Sequence, residues 1–257
     1  MTATLRDELY SPNPLVRLNA SQNATPSALA EFVPPTNEWI VNAFGAANAW
    51  LVVVGPSPGT GPGGKVDRPV PPVLGAVLPE FHRFLANDNN GFWTELFRLL
   101  RHGFKHAHLP PSDKDAALKL MLAMNLDTTP QGDGKKVTTQ MLRDGMARLR
   151  YVVDLTAPRM ILALKADVYD EIQEWWRAEV GEVGREESHP VPTKTKSGAT
   201  KCYNGKSRWL TRKGQASILL VKILQHPSRV KTYAGNEARF SDYIGERIRA
   251  ALDVASR

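Results

Sequence analysis

The sequence predicts an α/β fold, a three-layer α/β/α sandwich around a central, mostly parallel four-stranded sheet. Short, continuously apolar runs typical of buried strands alternate with longer stretches in which apolar residues recur at helical spacing. The chain has 257 residues, 42% of them hydrophobic, which suits one sizeable domain. We expect a helical or irregular lead-in over residues 1–48 and an α/β domain over residues 49–257, with a basic insertion at about 185–213.

The first half of the chain supplies two strand candidates and three helix candidates. Asn37–Ala47 fits a helix, and Trp50–Val54 is an apolar run that ends in the turn-forming sequence GPSPGTGPGG. A helix resumes at Gly91, with its apolar residues at three-to-four spacing. Leu118–Leu126 is interpreted as a helix running into a strand that ends near Asn125.

The second half continues the alternation. Thr139–Leu155 is amphipathic and predicts a helix, and Arg159–Leu164 (RMILAL) predicts a buried strand. Asp167–Val180 predicts a helix that places Trp175 and Trp176 in the core. Ser217–Leu224 predicts a further buried strand and Phe240–Ala255 a closing helix.

Three predicted strands end in polar or turn sequences: GPSPG from Gly55, Asn125, and HPSR from His226. Sites in parallel α/β sheets lie outside the carboxyl ends of the strands. We therefore expect Gly55, Asn125 and His226 to line a single cavity.

Composition narrows the class of partner. A formal net charge of +7 and a pI near 9.5 favour an anionic partner such as nucleic acid. The one cysteine, Cys202, excludes a disulfide framework and a four-thiolate iron–sulfur cluster within one chain. Charged residues near the N-terminus and short apolar runs argue against a signal peptide and a membrane span, so we expect a cytoplasmic protein.

Two motifs each permit two interpretations. Gly59–Lys65 (GTGPGGK) matches a phosphate-binding loop, which would make the chain a nucleotide-dependent enzyme. However, Val66 replaces the magnesium-binding hydroxyl and prolines follow, which favours a flexible loop. The three histidines His102, His106 and His108 suggest a metal site by spacing, but the cations beside them favour a basic helix end and no metal.

The stretch Ser188–Lys213 contains no acidic residue and interleaves the aromatic residues Tyr203 and Trp209 among its cations. Cations contact phosphates and aromatic rings stack on exposed bases, so this stretch is a candidate DNA-binding segment. The candidate contacts are Lys201, Lys206, Arg208 and Arg212. The alternative is a solvated, partly disordered loop.

The ordered set of GPSPG at Gly55–Gly59, NGFW at Asn90–Trp93, Asn125 with Leu126, RMILAL, and HPSR at His226–Arg229 resembles the uracil-DNA glycosylase superfamily. The resemblance covers roughly residues 50–255 and mixes features of several branches. It implies a DNA glycosylase that flips a base into a pocket and hydrolyses its N-glycosidic bond, with DNA as partner and no cofactor, metal or iron–sulfur cluster. The oligomeric state stays open.

The resemblance also implies roles for residues. The backbone of Gly55–Gly59, with Pro56, Ser57 and Pro58 between the two glycines, would line the pocket. Phe92 or Trp93 would stack on the base. Asn125 would read the base edge. His226 would stabilise negative charge on the departing base. The remaining expected contacts are with DNA and come from Ser228 and Lys65, with Arg229 and Val230 as candidates to fill the vacated stack.

Two departures from the family pattern matter. Ser57 stands where many relatives carry an aspartate or asparagine that orients water, so Asp127 is the candidate to act on the water, with Asp67 and Asp88 as alternatives. Gly59 stands where strict uracil enzymes carry a tyrosine that blocks ring substituents, which implies a wider pyrimidine such as mismatched thymine or a modified phage base. The competing hypothesis is a non-catalytic DNA-binding protein on the same fold.

Overall fold

The computed structural model describes residues 43–45, 50–56, 91–106, 121–127, 137–195, 197–224 and 236–253. In chain order the elements are β1 (Ala43–Gly45), β2 (Leu51–Gly55), α1 (Gly91–His106), β3 (Met121–Asn125), α2 (Thr139–Asp144), α3 (Met146–Thr156), β4 (Met160–Ala163), α4 (Ala166–Trp175), a π-helical turn (Trp176–Val180), β5 (Glu182–Val183), β6 (Glu187–Lys194), β7 (Thr200–Thr211), β8 (Ile218–Lys222) and α5 (Asn236–Asp253).

These elements form two compact units. The first contains β1, β2, β3, α2 and α3, with strand order β1-β3-β2. Strands β2 and β3 are parallel, in register from Leu51 opposite Met121 to Gly55 opposite Asn125. Every residue of β2 is buried, which explains why its sequence is continuously apolar.

The second unit contains the remaining elements, with strand order β4-β8-β7-β5 and β6 paired to β7. Strands β4 and β8 are parallel, whereas β7 runs antiparallel to β5, β6 and β8. Helix α4 packs on β4 and β8, and α5 packs against α1, β6 and β8. Trp175 and Trp176 are buried, as predicted.

The mixed α/β class and most predicted elements are confirmed. Two predictions were wrong in detail, and one group of strands was not predicted. Residues 43–45, inside the predicted helix Asn37–Ala47, form β1, because pairing with β3 overrides local helical spacing. The predicted helix Thr139–Leu155 is divided at Gly145. The antiparallel strands β1, β5, β6 and β7 were not expected in a mostly parallel sheet.

The basic stretch from Ser188 to Lys213 is largely ordered strand rather than a partly disordered loop, so that alternative was wrong. Buried Val191 and Thr193 alternate with exposed neighbours along β6, the pattern of a strand with one face covered. Gly205 and Ser207 are buried on β7, where they lie opposite His189 and Glu187. The residues at the buried positions are small or β-branched, so they give only a weak alternation of apolar and polar residues. The many cations between them made the segment resemble a solvated loop in sequence.

Candidate active site

The carboxyl ends of β2 and β3 lie side by side in the first unit. Beyond the last paired residues, the Leu126 N–H donates to the Gly55 carbonyl (3.0 Å) and the Asp127 N–H donates to the Pro56 carbonyl (2.8 Å). Asn125 is half-buried at this edge. The ends of β2 at Gly55 and of β3 at Asn125 are therefore adjacent, whereas His226, the third residue expected to line the cavity, lies outside the described residues.

Asp127 is only 8% exposed, and it interacts electrostatically with Arg148 of α3. Burial lowers the pKa of Arg148, while the carboxylates of Asp127 and Asp144 act in the opposite direction and favour its charged form. The Arg148 Nε is buried and makes no hydrogen bond within the described residues. A carboxylate and a guanidinium thus interact next to the strand edge.

Gly145 explains how α3 reaches this edge. A Cβ atom at Gly145 would lie 2.1 Å from the Leu126 carbonyl oxygen, closer than any real contact, so only glycine permits the approach. Helix α2 leads into this junction from an N-cap, where the Thr138 hydroxyl accepts a hydrogen bond from the Met141 N–H (3.2 Å). The close approach places α3, with Arg148 on its first turn, beside the end of β3.

Neither Arg148 nor Gly145 was predicted from the sequence to belong to the site. A signal for Gly145 was present, because a glycine inside a helical pattern often marks close packing or the end of a helix. No comparable signal marked Arg148, since an arginine in an amphipathic helix is ordinary. Its role depends on which strand the helix meets, and this is a tertiary property.

Several predicted site residues lie outside the described part of the chain. These are Ser57, Pro58, Gly59, Lys65, His226, Ser228, Arg229 and Val230, together with the alternatives Asp67, Asp88 and His108. Phe92 and Trp93 are placed by their backbone in the first turn of α1, in the second unit, and their side chains lie outside the description. Their roles stay predictions.

The four predicted DNA-contacting cations differ in their surroundings. Lys206 and Arg208 both bind the carboxylate of Glu186, at 2.9 Å and 3.1 Å. Lys201 is exposed, and its Nζ lies 4.7 Å from the centre of the Tyr203 ring. Arg212 is half-buried at the end of β7. Glu186, two residues before the acid-free stretch, was not recognised as the partner of its cations.

Tyr243 of helix α5 is hydrogen-bonded to β7 and β8. Its hydroxyl lies 3.2 Å from the Lys206 carbonyl and 3.0 Å from the Lys222 carbonyl, and its ring occupies the space above Gly205 that a side chain would fill. Burial raises the pKa of Tyr243, so this hydroxyl stays protonated and able to donate.

A second polar contact joins α5 to the β6–β7 pair. The His189 Nε2 lies 2.8 Å from the Ser207 hydroxyl and 3.0 Å from the Arg247 Nη1. Burial lowers the pKa of His189, and the Arg247 cation lowers it further. Ser207 is completely buried and His189 is half-buried, so this contact joins α5 to the inner face of the β6–β7 pair.

Within the described ranges, no three or more histidine, cysteine, aspartate or glutamate side chains form a group that could hold a metal ion. Among the described helices, none has the length and apolar character needed to cross a membrane. The fold and the strand edge thus define a mixed α/β protein with an asparagine and a buried aspartate at the end of a parallel strand pair. No protein-family model matches this chain, and no curated protein matches its sequence.

Proposed function

We propose that the protein is a DNA glycosylase that binds a flipped-out pyrimidine at the β2–β3 edge and hydrolyses its N-glycosidic bond. The observation that supports this is the arrangement of half-buried Asn125 and buried Asp127 directly beside the Gly55–Pro56 backbone. The proposal includes the three-layer sandwich with a mostly parallel four-stranded sheet that the sequence predicts.

The chemistry requires a base reader and a group that acts on water. The Asn125 amide offers both a donor and an acceptor, which can match the edge of a pyrimidine. Asp127 accepts a proton from water as the water oxygen bonds to C1′ of the sugar. The C1′–N bond breaks, and its electron pair leaves with the base. Burial of Asp127 keeps competing bulk water away from this step.

The nearby cation fits this assignment. Arg148 places positive charge near the buried Asp127 carboxylate, and the two groups attract each other electrostatically. A buried carboxylate that lacked such a partner would be costly to keep charged. Arg148 therefore acts as a positioning residue, through Asp127 rather than on the substrate.

The substrate class follows from the resemblance rather than from the described residues. With Gly59 in place of a blocking tyrosine, we propose a pyrimidine wider than uracil: mismatched thymine or a 5-substituted base. A role in DNA repair or in defence against phage with modified DNA would use this specificity.

The test measures abasic-site formation on duplexes that carry uracil, a thymine mismatch or a 5-substituted cytosine. We expect Asp127→Asn to reduce base release by roughly 10²- to 10⁴-fold, the usual contribution of a general base, with DNA affinity retained. Asp154→Asn, an exposed carboxylate on the same helix as Arg148, is the matched control and should stay within a few-fold of wild type.

If the wild-type protein binds these duplexes but no abasic product forms on any of them, the glycosylase proposal fails. The non-catalytic DNA-binding protein is then the correct alternative. If Asp127→Asn releases base at the wild-type rate, the protein remains a glycosylase but Asp127 is not the group that acts on water.

A further inference from the structure

One face of the second unit carries three cations on neighbouring strands. Strand β7 pairs with β6 in a two-stranded antiparallel ribbon, and it pairs with β8 along its other edge. Lys206 and Arg208 are two residues apart on β7, and Lys222 lies directly opposite Lys206 at the end of β8. Alternate residues of a strand, and residues opposite each other in an antiparallel pair, project from the same face. These three residues form the β7–β8 cation cluster.

The cluster lies on the face of β7 that helix α5 does not cover. Gly205 alternates with the cations along β7 and lies against the Tyr243 ring of α5. The side chains of the cluster therefore point away from α5. Tyr169 of α4 interacts electrostatically with Arg208, so α4 is the helix that adjoins the cluster.

Glu186 is the carboxylate that forms ion pairs with the cluster among the described residues. The Lys206 Nζ donates to its Oε1 (2.9 Å), and the Arg208 Nη2 and Nε donate to its Oε2 (3.1 Å and 3.3 Å). The side chains of Lys206, Arg208 and Glu186 are 33%, 20% and 23% exposed, so they are partly shielded but accessible from solvent. Lys222 is half-buried and forms no ion pair with a described residue. One carboxylate thus faces three cations.

The Tyr169 hydroxyl is a further donor beside this carboxylate. Tyr169 is completely buried, and its hydroxyl makes no hydrogen bond within the described residues. Burial raises the pKa of Tyr169, and the nearby Glu186 carboxylate raises it further, so the hydroxyl stays protonated. Buried hydroxyl groups in proteins are usually hydrogen-bonded, and this one has a proton to donate.

The donors and charges exceed what Glu186 can satisfy. A carboxylate has two oxygens, and in Glu186 both already accept from Lys206 and Arg208. A phosphate group has more oxygens and a charge of roughly −1 to −2, so it can accept from the same cations and from two further donors. Glu186 lies in the short connection 184–186 between β5 and β6, so its side chain can turn away without breaking a strand pairing.

We propose that the β7–β8 cation cluster and the Tyr169 hydroxyl bind a phosphate group, which displaces the carboxylate of Glu186. The phosphate is that of a nucleic-acid backbone or of a small phosphorylated molecule, because both present the same acceptor oxygens. The site is independent of the proposed function, since neither Asn125 nor Asp127 belongs to it.

The test uses two probes with the full-length protein at constant ionic strength. Binding of inorganic phosphate is measured by isothermal titration calorimetry, and binding of a fluorescently labelled duplex DNA is measured by anisotropy. Urea unfolding of each variant shows whether the fold is retained. Base release is not a readout, so the result does not depend on glycosylase activity.

Glu186→Gln removes the internal competitor while it preserves the shape of the side chain. We expect phosphate binding to tighten by roughly 3- to 10-fold, because the incoming group no longer displaces a half-buried charged partner. Glu182→Gln is the matched control, since it removes the same charge from an exposed residue of β5 and should leave binding within about 2-fold of wild type.

Lys222→Ala and Tyr169→Phe remove the two donors that Glu186 does not use. Each should weaken phosphate binding by roughly 10-fold, the usual effect of losing a hydrogen bond to a charged group. For duplex DNA, Lys222→Ala should also reduce the slope of log affinity against log salt by about 0.9. Lys213→Ala, an exposed lysine beyond β7, is the charge-matched control. Tyr169→Phe should unfold at the same urea concentration as wild type or a higher one, because its hydroxyl has no described partner to lose.

The proposal is overturned if wild type binds neither probe, if Glu186→Gln does not tighten binding, or if Lys222→Ala and Tyr169→Phe bind as wild type does. It is also overturned if the control variants change binding as much as the site variants. A response of duplex binding identifies a nucleic-acid backbone as the source of the phosphate. A response confined to inorganic phosphate identifies a small phosphorylated molecule.

Discussion

Gly145→Ala is the substitution with the clearest consequence for the candidate site. Gly145 has φ −84° and ψ −11°, a conformation open to alanine, so the change introduces no backbone strain of its own. The added methyl group would instead lie 2.1 Å from the Leu126 carbonyl oxygen and 2.5 Å from its carbon. Leu126 or the α2–α3 junction must therefore move by about 1 Å to reach ordinary contact.

The expected loss of stability follows from the two hydrogen bonds made by the backbone at Leu126 and Asp127. Its N–H and that of Asp127 make the two hydrogen bonds to Gly55 and Pro56, and each such bond contributes about 1 kcal/mol. Overpacking by the added methyl group destabilises the folded state by about 1–3 kcal/mol. Alanine also lowers the conformational entropy of the unfolded chain, which offsets about 0.4–1 kcal/mol of this loss. We expect Gly145→Ala to lower the free energy of unfolding by about 2–4 kcal/mol.

The assay is equilibrium urea unfolding followed by tryptophan fluorescence and far-ultraviolet circular dichroism. Gly184→Ala is the matched control, because Gly184 is exposed, its φ is not in the left-handed region, and an added Cβ would lie 3.2 Å from the nearest atom, the Trp209 carbonyl oxygen. The control should change the free energy of unfolding by less than about 1 kcal/mol. A Gly145→Ala protein as stable as wild type would refute the close packing of the helix junction on β3.

Three further substitutions test other contacts. Ala157 ends α3 with φ 43° and ψ 56°, so Ala157→Gly should stabilise the protein by about 1 kcal/mol and raise Tm by a few degrees; a lower Tm would contradict this conformation. Tyr243→Phe removes the hydroxyl donor that joins α5 to two strand carbonyls, and should lower the free energy of unfolding in urea by about 1–2 kcal/mol. An unchanged unfolding midpoint would show that the hydroxyl does not stabilise the fold. Burial and Arg247 lower the pKa of His189, so its neutral ring stabilises the fold above the unfolded value near 6.5 and this contribution is lost as pH falls below it. Stability measured between pH 7 and 5 should therefore fall less in His189→Gln than in wild type, and parallel profiles would reject the assignment.

Strands with both faces buried were predictable from sequence because burial imposes continuous apolar residues. Leu51–Gly55 and Met160–Ala163 are completely buried and were predicted to within a residue or two. The same logic failed for the β6–β7 ribbon, where one face is exposed and the buried face is occupied by residues such as Thr193, Gly205 and Ser207. Small or polar residues at buried positions leave no hydrophobic period to detect.

The residues of the candidate site likewise differ in whether they could be predicted from sequence. Asn125 and Asp127 could be chosen from sequence because the two polar residues stand at the end of an apolar run, and parallel strands end at a common edge. Arg148 could not be chosen, because its relevance depends on an approach that Gly145 permits across a gap of sequence. The pairing of Lys206 and Arg208 with Glu186 likewise depends on where the chain before β6 meets β7.

By itself, the sequence determined the α/β class, the order of most strands and helices, the positive charge and the adjacency of the Gly55 and Asn125 strand ends. Hydrophobic periodicity and net charge are local or summed properties, and they can be read without knowing contacts. Tertiary structure alone decided which cations are neutralised, which carboxylate is buried beside a guanidinium, and that the acid-free segment folds into a ribbon. Those properties depend on distances between residues far apart in the chain, and such distances exist only once the chain has folded.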